Sequence, residues 1–337
     1  MLFLPVLPRH AVGVPLRHVL AAVLVTLIWG VNFVVIHVGL ATTPPLLLAA
    51  LRFALVAGAL AWFVPRPALS WPRLVALGLA LYAGQFGLLF TAMDVGLSPG
   101  LAAVVLQSQA VFTVVAAVVV LGERPGRPQV LGVAVAVAGL LLIGLDRGGS
   151  SALGFALCLL AGASWACGNL VARSAGVTQG LGLVVWGSVV AAPVLGVLAL
   201  WQIGPSRLPS ALAGIDGGGL LALAYLTVMA TVVGFGTWSA LLGRHPAAVL
   251  APFTMLVPPI GLGTAWLALG ERPSVAALAG SALVVAGLLL PLAVGAGRRQ
   301  RRVGREVHDP AGFHDPAGFH DRGGVVGGVR PAGPSST

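Results

Sequence analysis

Lysine is absent from this chain, only nine of its 337 residues are acidic, and charged residues of either sign make up 8%. A soluble domain carries about a quarter charged residues, so a water-soluble monomer is excluded. There are two cysteines, Cys158 and Cys167. Nine helical residues would hold them roughly 14 Å apart, beyond the ~7 Å reach of a disulfide, and both read as free packing residues. No GxSxG, HExxH or Walker pattern occurs, and no acids pair within an apolar stretch, so no catalytic residue, cofactor or metal site is expected. Acids are missing from the depth of every apolar stretch as well. Asp94, Glu123 and Glu271 stand near stretch ends and Asp146 and Asp216 in loops, which leaves a carboxylate proton relay without support.

What the chain has is apolar length. Hydrophobic residues make up 58% of it, with mean hydropathy +1.00. Apolar stretches of about 20 residues with at most one charge recur, each enough to cross ~30 Å of hydrocarbon as a helix. They fall near residues 19–40, 44–64, 72–93, 98–121, 128–145, 152–173, 181–201, 219–242, 246–269 and 274–295. Pro44-Pro45, Pro65-Arg66-Pro67, Ser98-Pro99-Gly100 and Arg127-Pro128 separate those of the first half. The first stretch is too long for a cleavable signal and lacks a small-residue cleavage pattern, so it is expected to remain in the protein. The expected fold is an all-α integral membrane protein of about ten transmembrane helices.

The formal charge of +10 sits mainly between the stretches and after Gly295, a placement that suits a bilayer surface rather than a nucleic acid. With the N-terminus in the cytoplasm, Arg9, Arg17, Arg66, Arg73, Arg124, Arg127, Arg173, Arg244 and the Arg298–Arg302 cluster fall inside. Arg147, Arg207 and Arg272 fall outside. The positive-inside rule therefore expects both termini in the cytoplasm.

The halves repeat each other. Leu121-Gly122-Glu123-Arg124-Pro125 recurs as Leu269-Gly270-Glu271-Arg272-Pro273, and at the same offset Ala138-Gly139-Leu140 recurs as Ala286-Gly287-Leu288. Trp29 precedes Asn32 as Trp165 precedes Asn169. A unit of five spans is odd, so the second copy must be inverted. This yields residues 1–18 as a cytoplasmic N-terminus, 19–145 and 152–295 as two inverted five-helix repeats, and 296–337 as a tail. Inverted repeats are the architecture of secondary transporters, with the substrate near the midplane between the halves. The tail, rich in Arg, Gly and Pro, duplicates His308-Asp309-Pro310-Ala311-Gly312-Phe313 as His314 to Phe319 and is expected to be disordered and cytoplasmic. Its spaced histidines lack the neighbouring cysteines of a metal site.

Polar groups inside spans face other helices or a wet cavity. Trp29 and Asn32, and Trp165 and Asn169, are each about one turn apart on a helix face. Each pair could line a cavity, with indole for packing and amide for hydrogen bonding, or could anchor an interface and join helices. Gln85 shares a face with Tyr82. Gln107 and Gln109 point about 200 degrees apart, so one lines and the other joins helices. Arg52 is the ionised group well inside a span, at a cost of about 2.5–3.5 kcal/mol; it could bind a substrate carboxylate, snorkel or cap carbonyls. His37, late in the first span, is either a titrating group or, as a helix-end histidine more often is, structural. Trp62, Trp71 and Trp201 stand at span ends as belt residues.

Leu27-Ile28-Trp29-Gly30-Val31-Asn32-Phe33, Pro44-Pro45, Leu51-Arg52-Phe53, Gly122-Glu123-Arg124 with its copy Gly270-Glu271-Arg272, and Ser164-Trp165-Ala166-Cys167-Gly168-Asn169 resemble the EamA family of the drug/metabolite transporter superfamily. The resemblance runs from about residue 19 to 292. Gly100-Leu101-Ala102 to Gln107-Ser108-Gln109, Ser164 to Asn169 and Leu241-Leu242-Gly243-Arg244 most resemble its O-acetylserine/cysteine exporter branch. His37 departs from it, since relatives usually carry Lys there. The resemblance implies a ten-helix secondary transporter working by alternating access. The expected function is export of small amino-acid-type metabolites across the cell membrane, with Trp29, Asn32, Arg52, Gln85, Gln107, Trp165 and Asn169 as substrate-binding residues. Expected partners are a small-molecule substrate and the lipid bilayer, and a homo-oligomer is left open. The other readings are a multidrug-type exporter of lipophilic cations, disfavoured by the missing deep acid, and a non-transporting scaffold or lipid-modifying enzyme.

Overall fold

The computed structural model describes residues 14–146, 149–176 and 180–308, with side chains omitted at 247–248 and 295–308. It is helical, and among the described residues nine helices are long and apolar enough to cross a membrane. They are α1 (Leu16–Leu40), α3 (Trp71–Asp94), α4 (Pro99–Leu121), α5 (Arg127–Asp146), α6 (Ala152–Ser174), α7 (Leu181–Ile203), α8 (Gly217–Leu242), α9 (Val249–Leu269) and the apolar part of α10 (Val275–His308). A shorter apolar helix, α2 (Pro45–Leu60), stands between the first two and completes the expected ten.

Large apolar side chains on the outer faces are bare, among them Leu145, Leu267 and Val275, as lipid contact requires. Trp62 and Trp201 are both exposed near helix ends. Trp71 packs edge-on against Trp186 and lies under the Arg66 guanidinium, 4.7 Å from its ring centre.

The repeat is visible in its irregularities. α3 and α8 each widen into a π-helical segment at mid-length, Gly78–Gly84 and Tyr225–Val233. α4 is interrupted at Leu106-Gln107, and the helix containing α9 breaks at Met255-Leu256 between Ala247–Thr254 and Val257–Leu269. α4 and α9 both end on a left-handed glycine, Gly122 at φ 66° and Gly270 at φ 68°, where any side chain would be strained.

The second half is inverted. α5 and α10 occupy the same place in their repeats and cross with backbones in contact, Gly132 against Gly287 and Gly139 against Gly280. One index falls as the other rises, so equivalent helices run antiparallel. A Cβ at any of these four would strike the facing backbone.

The first helix of each half packs into the other half. α1 lies on α8 and α9, with Gly30 against Ile260 and Gly218 facing Val38. α6 lies on α3 and α4, with Gly168 against Leu81 and Gly162 against Ser108.

The chain divides into two units at Gly295, where the sequence places the start of the tail. α10 runs from Val275 to His308, so residues 296–308 of the expected tail are helical in the structure. Residues 309–337, like Arg9 and Arg147, lie outside the described residues.

Candidate functional site

Arg52 is carried by α2 into the interior and is 2% exposed. Its Nε and Nη2 donate to Thr231 Oγ1 at 3.2 and 3.0 Å. Its guanidinium lies 4.5 Å from the ring centre of Phe86 and 5.4 Å from that of Phe53. Nη1 is buried with no hydrogen-bond partner, and among the described residues no carboxylate pairs with this arginine. Cation–π contacts of this kind contribute about 0.5–2 kcal/mol each. They offset part of the cost of a buried cation without supplying a counter-charge.

Thr231 lies in the π segment of α8, and its hydroxyl in turn donates to Leu226 O at 2.7 Å. The adjacent residue, Ala230, gives its carbonyl to Trp29 Nε1 at 3.1 Å. A π segment leaves carbonyls without their usual helical donors, and here the opposite half supplies one. The first half does the same in mirror fashion: Ser164 of α6 donates to Ala80 O in the π segment of α3 at 2.7 Å. Trp29 also packs on Phe235 and Trp238, with ring centres 5.1 and 5.5 Å away. Tyr225, at the head of the same segment, donates to Ile28 O at 2.8 Å.

Asn32, one turn beyond Trp29, is 8% exposed and its Oδ1 is buried without a partner. Gln85 is buried on α3 beside Phe86, and Gln107 is buried at the interruption of α4. Of these expected site residues, Trp29 and Arg52 both reach the π segment of α8, through Ala230 and Thr231, while Asn32 stands one turn from Trp29 on α1 and Gln85 precedes Phe86 on α3.

Trp165 and Asn169 belong to a second group on α6. Trp165 is half-buried against the main apolar core. Asn169 Nδ2 donates to Gln109 Oε1 at 3.2 Å and to Thr113 Oγ1 at 3.3 Å. Its amide thus joins α6 to α4, the helix-joining role that was the alternative to lining. Gln109 is the glutamine that joins α4 to α6, and Gln107 is buried.

Sequence reasoning missed Thr231, Phe86 and Ser164. Threonine and serine within an apolar run resemble ordinary spacer residues, and only the π segments reveal what they serve. Two apolar grooves are present, one of about 550 Å³ between α1 and α8, with Tyr225, Val228 and Met229 of the π segment in its wall, and one of about 450 Å³ bordered by α4, α5 and α6. None of the expected site residues lines either groove, and their walls of Val, Leu and Ala suit hydrocarbon.

Comparison with known proteins shows the family and the fold. A probable amino-acid metabolite efflux pump of Salmonella typhimurium is 41% identical, over 84% of this chain and 96% of its own length. Its counterpart in Escherichia coli strain K12 is 39% identical, over 80% and 92%. A probable terminal-alkyne amino-acid exporter of Streptantibioticus cattleyicolor is 30% identical, over 81% and 93%. A crystal structure 24% identical in sequence, matching 84% of this chain and 98% of its own, superposes with a TM-score of 0.56 and shares the fold. The EamA-like transporter pattern matches twice, at residues 16–145 and 152–292, one copy on each inverted half, and the chain belongs to that family of multi-pass membrane transporters.

Proposed function

We propose that this protein exports small amino-acid-type metabolites, of the O-acetylserine and cysteine kind, across the cytoplasmic membrane by alternating access, with both termini in the cytoplasm. The observation that carries the proposal is Arg52: a buried guanidinium with, among the described residues, no partner for Nη1 and no carboxylate paired with it. A buried charge without a partner is costly, and a substrate carboxylate would supply the missing counter-charge through a charge-assisted bond. A buried cation repels a lipophilic cation, which argues against multidrug export. Asn32 Oδ1 would accept from a substrate ammonium, Gln85 and Gln107 would meet its polar side chain, and Trp29 and Trp165 would bound the cavity. The names of the relatives, which describe amino-acid export, support the substrate class, and the arginine distribution supports the orientation.

The test is efflux of labelled cysteine and O-acetylserine from cells expressing the chain, beside an Arg52→Ala variant and an empty vector. Efflux well above the vector that Arg52→Ala abolishes is the expected result. Efflux equal to the vector, with the protein present in the membrane, removes the substrate class. Efflux that survives both Arg52→Ala and Asn32→Ala removes the site.

A further inference from the structure

The two halves repeat in sequence and in helix irregularities, yet the two ends of the bundle are not packed alike. Every residue of the first piece of α4, Pro99–Val105, is buried, and Leu101 to Val105 belong to the main core. It is wedged against the second piece of the ninth helix, with Gly261 on Ala103 and Gly100 facing Leu262 and Ala265. Its counterpart in the other half is Ala247–Thr254. There, among the residues whose side chains are described, Leu250 and Phe253 are buried, and they belong to a separate small cluster with Ala22 and Leu241.

The repeated Gly-Glu-Arg loops differ in the same sense. Glu271 reaches across to the start of α4, where its Oε2 accepts the Gly100 N–H at 3.1 Å. A carboxyl oxygen there supplies an acceptor to a helix-end N–H group that has no partner within the helix. Glu123, at the equivalent position, turns away to Arg173, with contacts of 2.8 and 3.0 Å, and both side chains are exposed. Ala247–Thr254 begins behind Pro246 with no side-chain cap.

We infer that Glu271 is a latch that seals one end of the transporter by holding the start of α4, and that Glu123 is the same latch released at the other end. The proposal rests on the transporter reading above and adds the residues that gate it. In this structure the Glu271 end is shut and the Glu123 end is loosened. Transport through the molecule then requires the Glu271 contact to break, freeing α4 as Ala247–Thr254 is already free. With the orientation proposed above, the shut end faces outward and the loosened end faces the cytoplasm, the state in which an exporter loads.

The test needs no substrate, so its outcome is independent of which metabolite is carried. Spin labels are placed at the exposed positions Asp94 and Arg272, after both native cysteines are replaced, in the full chain reconstituted into lipid nanodiscs. Two variants attack the latch by different means. Glu271→Ala removes the acceptor, while Gly100→Ala places a Cβ about 2.8 Å from Glu271 Oε2 and displaces it without removing a charge. Both are expected to add a longer-distance population to the double electron–electron resonance distribution, and Glu123→Ala is expected to leave that distribution unchanged. If both latch variants remain monodisperse and give the parent distribution, Glu271 is only a helix cap and the proposal is overturned. A shift of the same size from Glu123→Ala also overturns it, because the two ends would then not be distinct gates.

Discussion

Arg52 and Thr231 are 179 positions apart and come from opposite halves, yet two donors of the guanidinium converge on the one threonine hydroxyl. The hydroxyl has an acceptor of its own in Leu226 O. It therefore orients the arginine while leaving Nη1 open.

Replacing Thr231 by Val keeps the shape and removes the acceptor, stranding two further buried donors. Hydrogen bonds to charged groups contribute about 1.5–3 kcal/mol, so Thr231→Val should be destabilised by about that amount and Thr231→Ser by much less. Thermal unfolding in detergent, followed by size-exclusion chromatography, measures it. Equal midpoints for Val and Ser would show that the hydroxyl does not hold the arginine.

The crossing of α5 and α10 depends on bare backbone. Gly139→Val should cost about 1–3 kcal/mol through overpacking, since the added atoms meet Gly280, Leu283 and Val284. Gly58→Ala, where nothing lies within 4 Å of the added carbon, should be neutral or slightly stabilising. The same unfolding assay separates them, and equal midpoints for the two would contradict the crossing.

The Glu123–Arg173 pair is exposed on both sides. Exposed pairs contribute about 0–1 kcal/mol, so Arg173→Ala should barely move the unfolding midpoint, and raising the salt concentration should erase what little difference exists. A shift of several kcal/mol would mean that this end is packed as tightly as the other.

Burial pushes the Glu271 carboxyl above its ordinary value, against the opposing pull of the Gly100 N–H, the Ser98 hydroxyl and His37. Asp94, Asp146 and Arg272 stand at the same end, and among the described residues His37 is the one whose charge acts on Glu271. A group whose value is raised in the sealed state favours that state below the ordinary carboxylate value. The benefit is lost as pH rises through the raised value. Acidification should therefore shrink any longer-distance population between labels at 94 and 272, and alkalinisation should enlarge it. Glu271→Gln should give a distribution independent of pH over that range, and the opposite slope in the parent would refute the assignment.

The helices and their duplication could be read from hydropathy and from the repeated Gly-Glu-Arg loops, because spans in hydrocarbon are dictated by local composition. Arg52 was legible too, since an ionised group within an apolar run has few innocent explanations. The π segments of α3 and α8 were not legible. Their stability comes from Ser164 and Trp29, donors that lie in the other half and have no periodic signature. Asn169 looked like the twin of Asn32, but Gln109 and Thr113 face it and take up its amide, whereas Asn32 Oδ1 finds no partner. Like residues at like positions diverged because their neighbours did. The helical stretch 296–308 was hidden for another reason, since its arginines and glycines lack the apolar periodicity by which the spans are recognised.

The swapped packing of the two first helices also bears on how the protein is made. Trp29 emerges from the ribosome 201 residues ahead of Ala230, the carbonyl it will bind. Until α8 and α9 are inserted, α1 stands in the lipid with Gly30, Asn32 and the indole N–H all lacking their final neighbours. Synthesis that stops after the first repeat therefore leaves α1 without the helices it packs on.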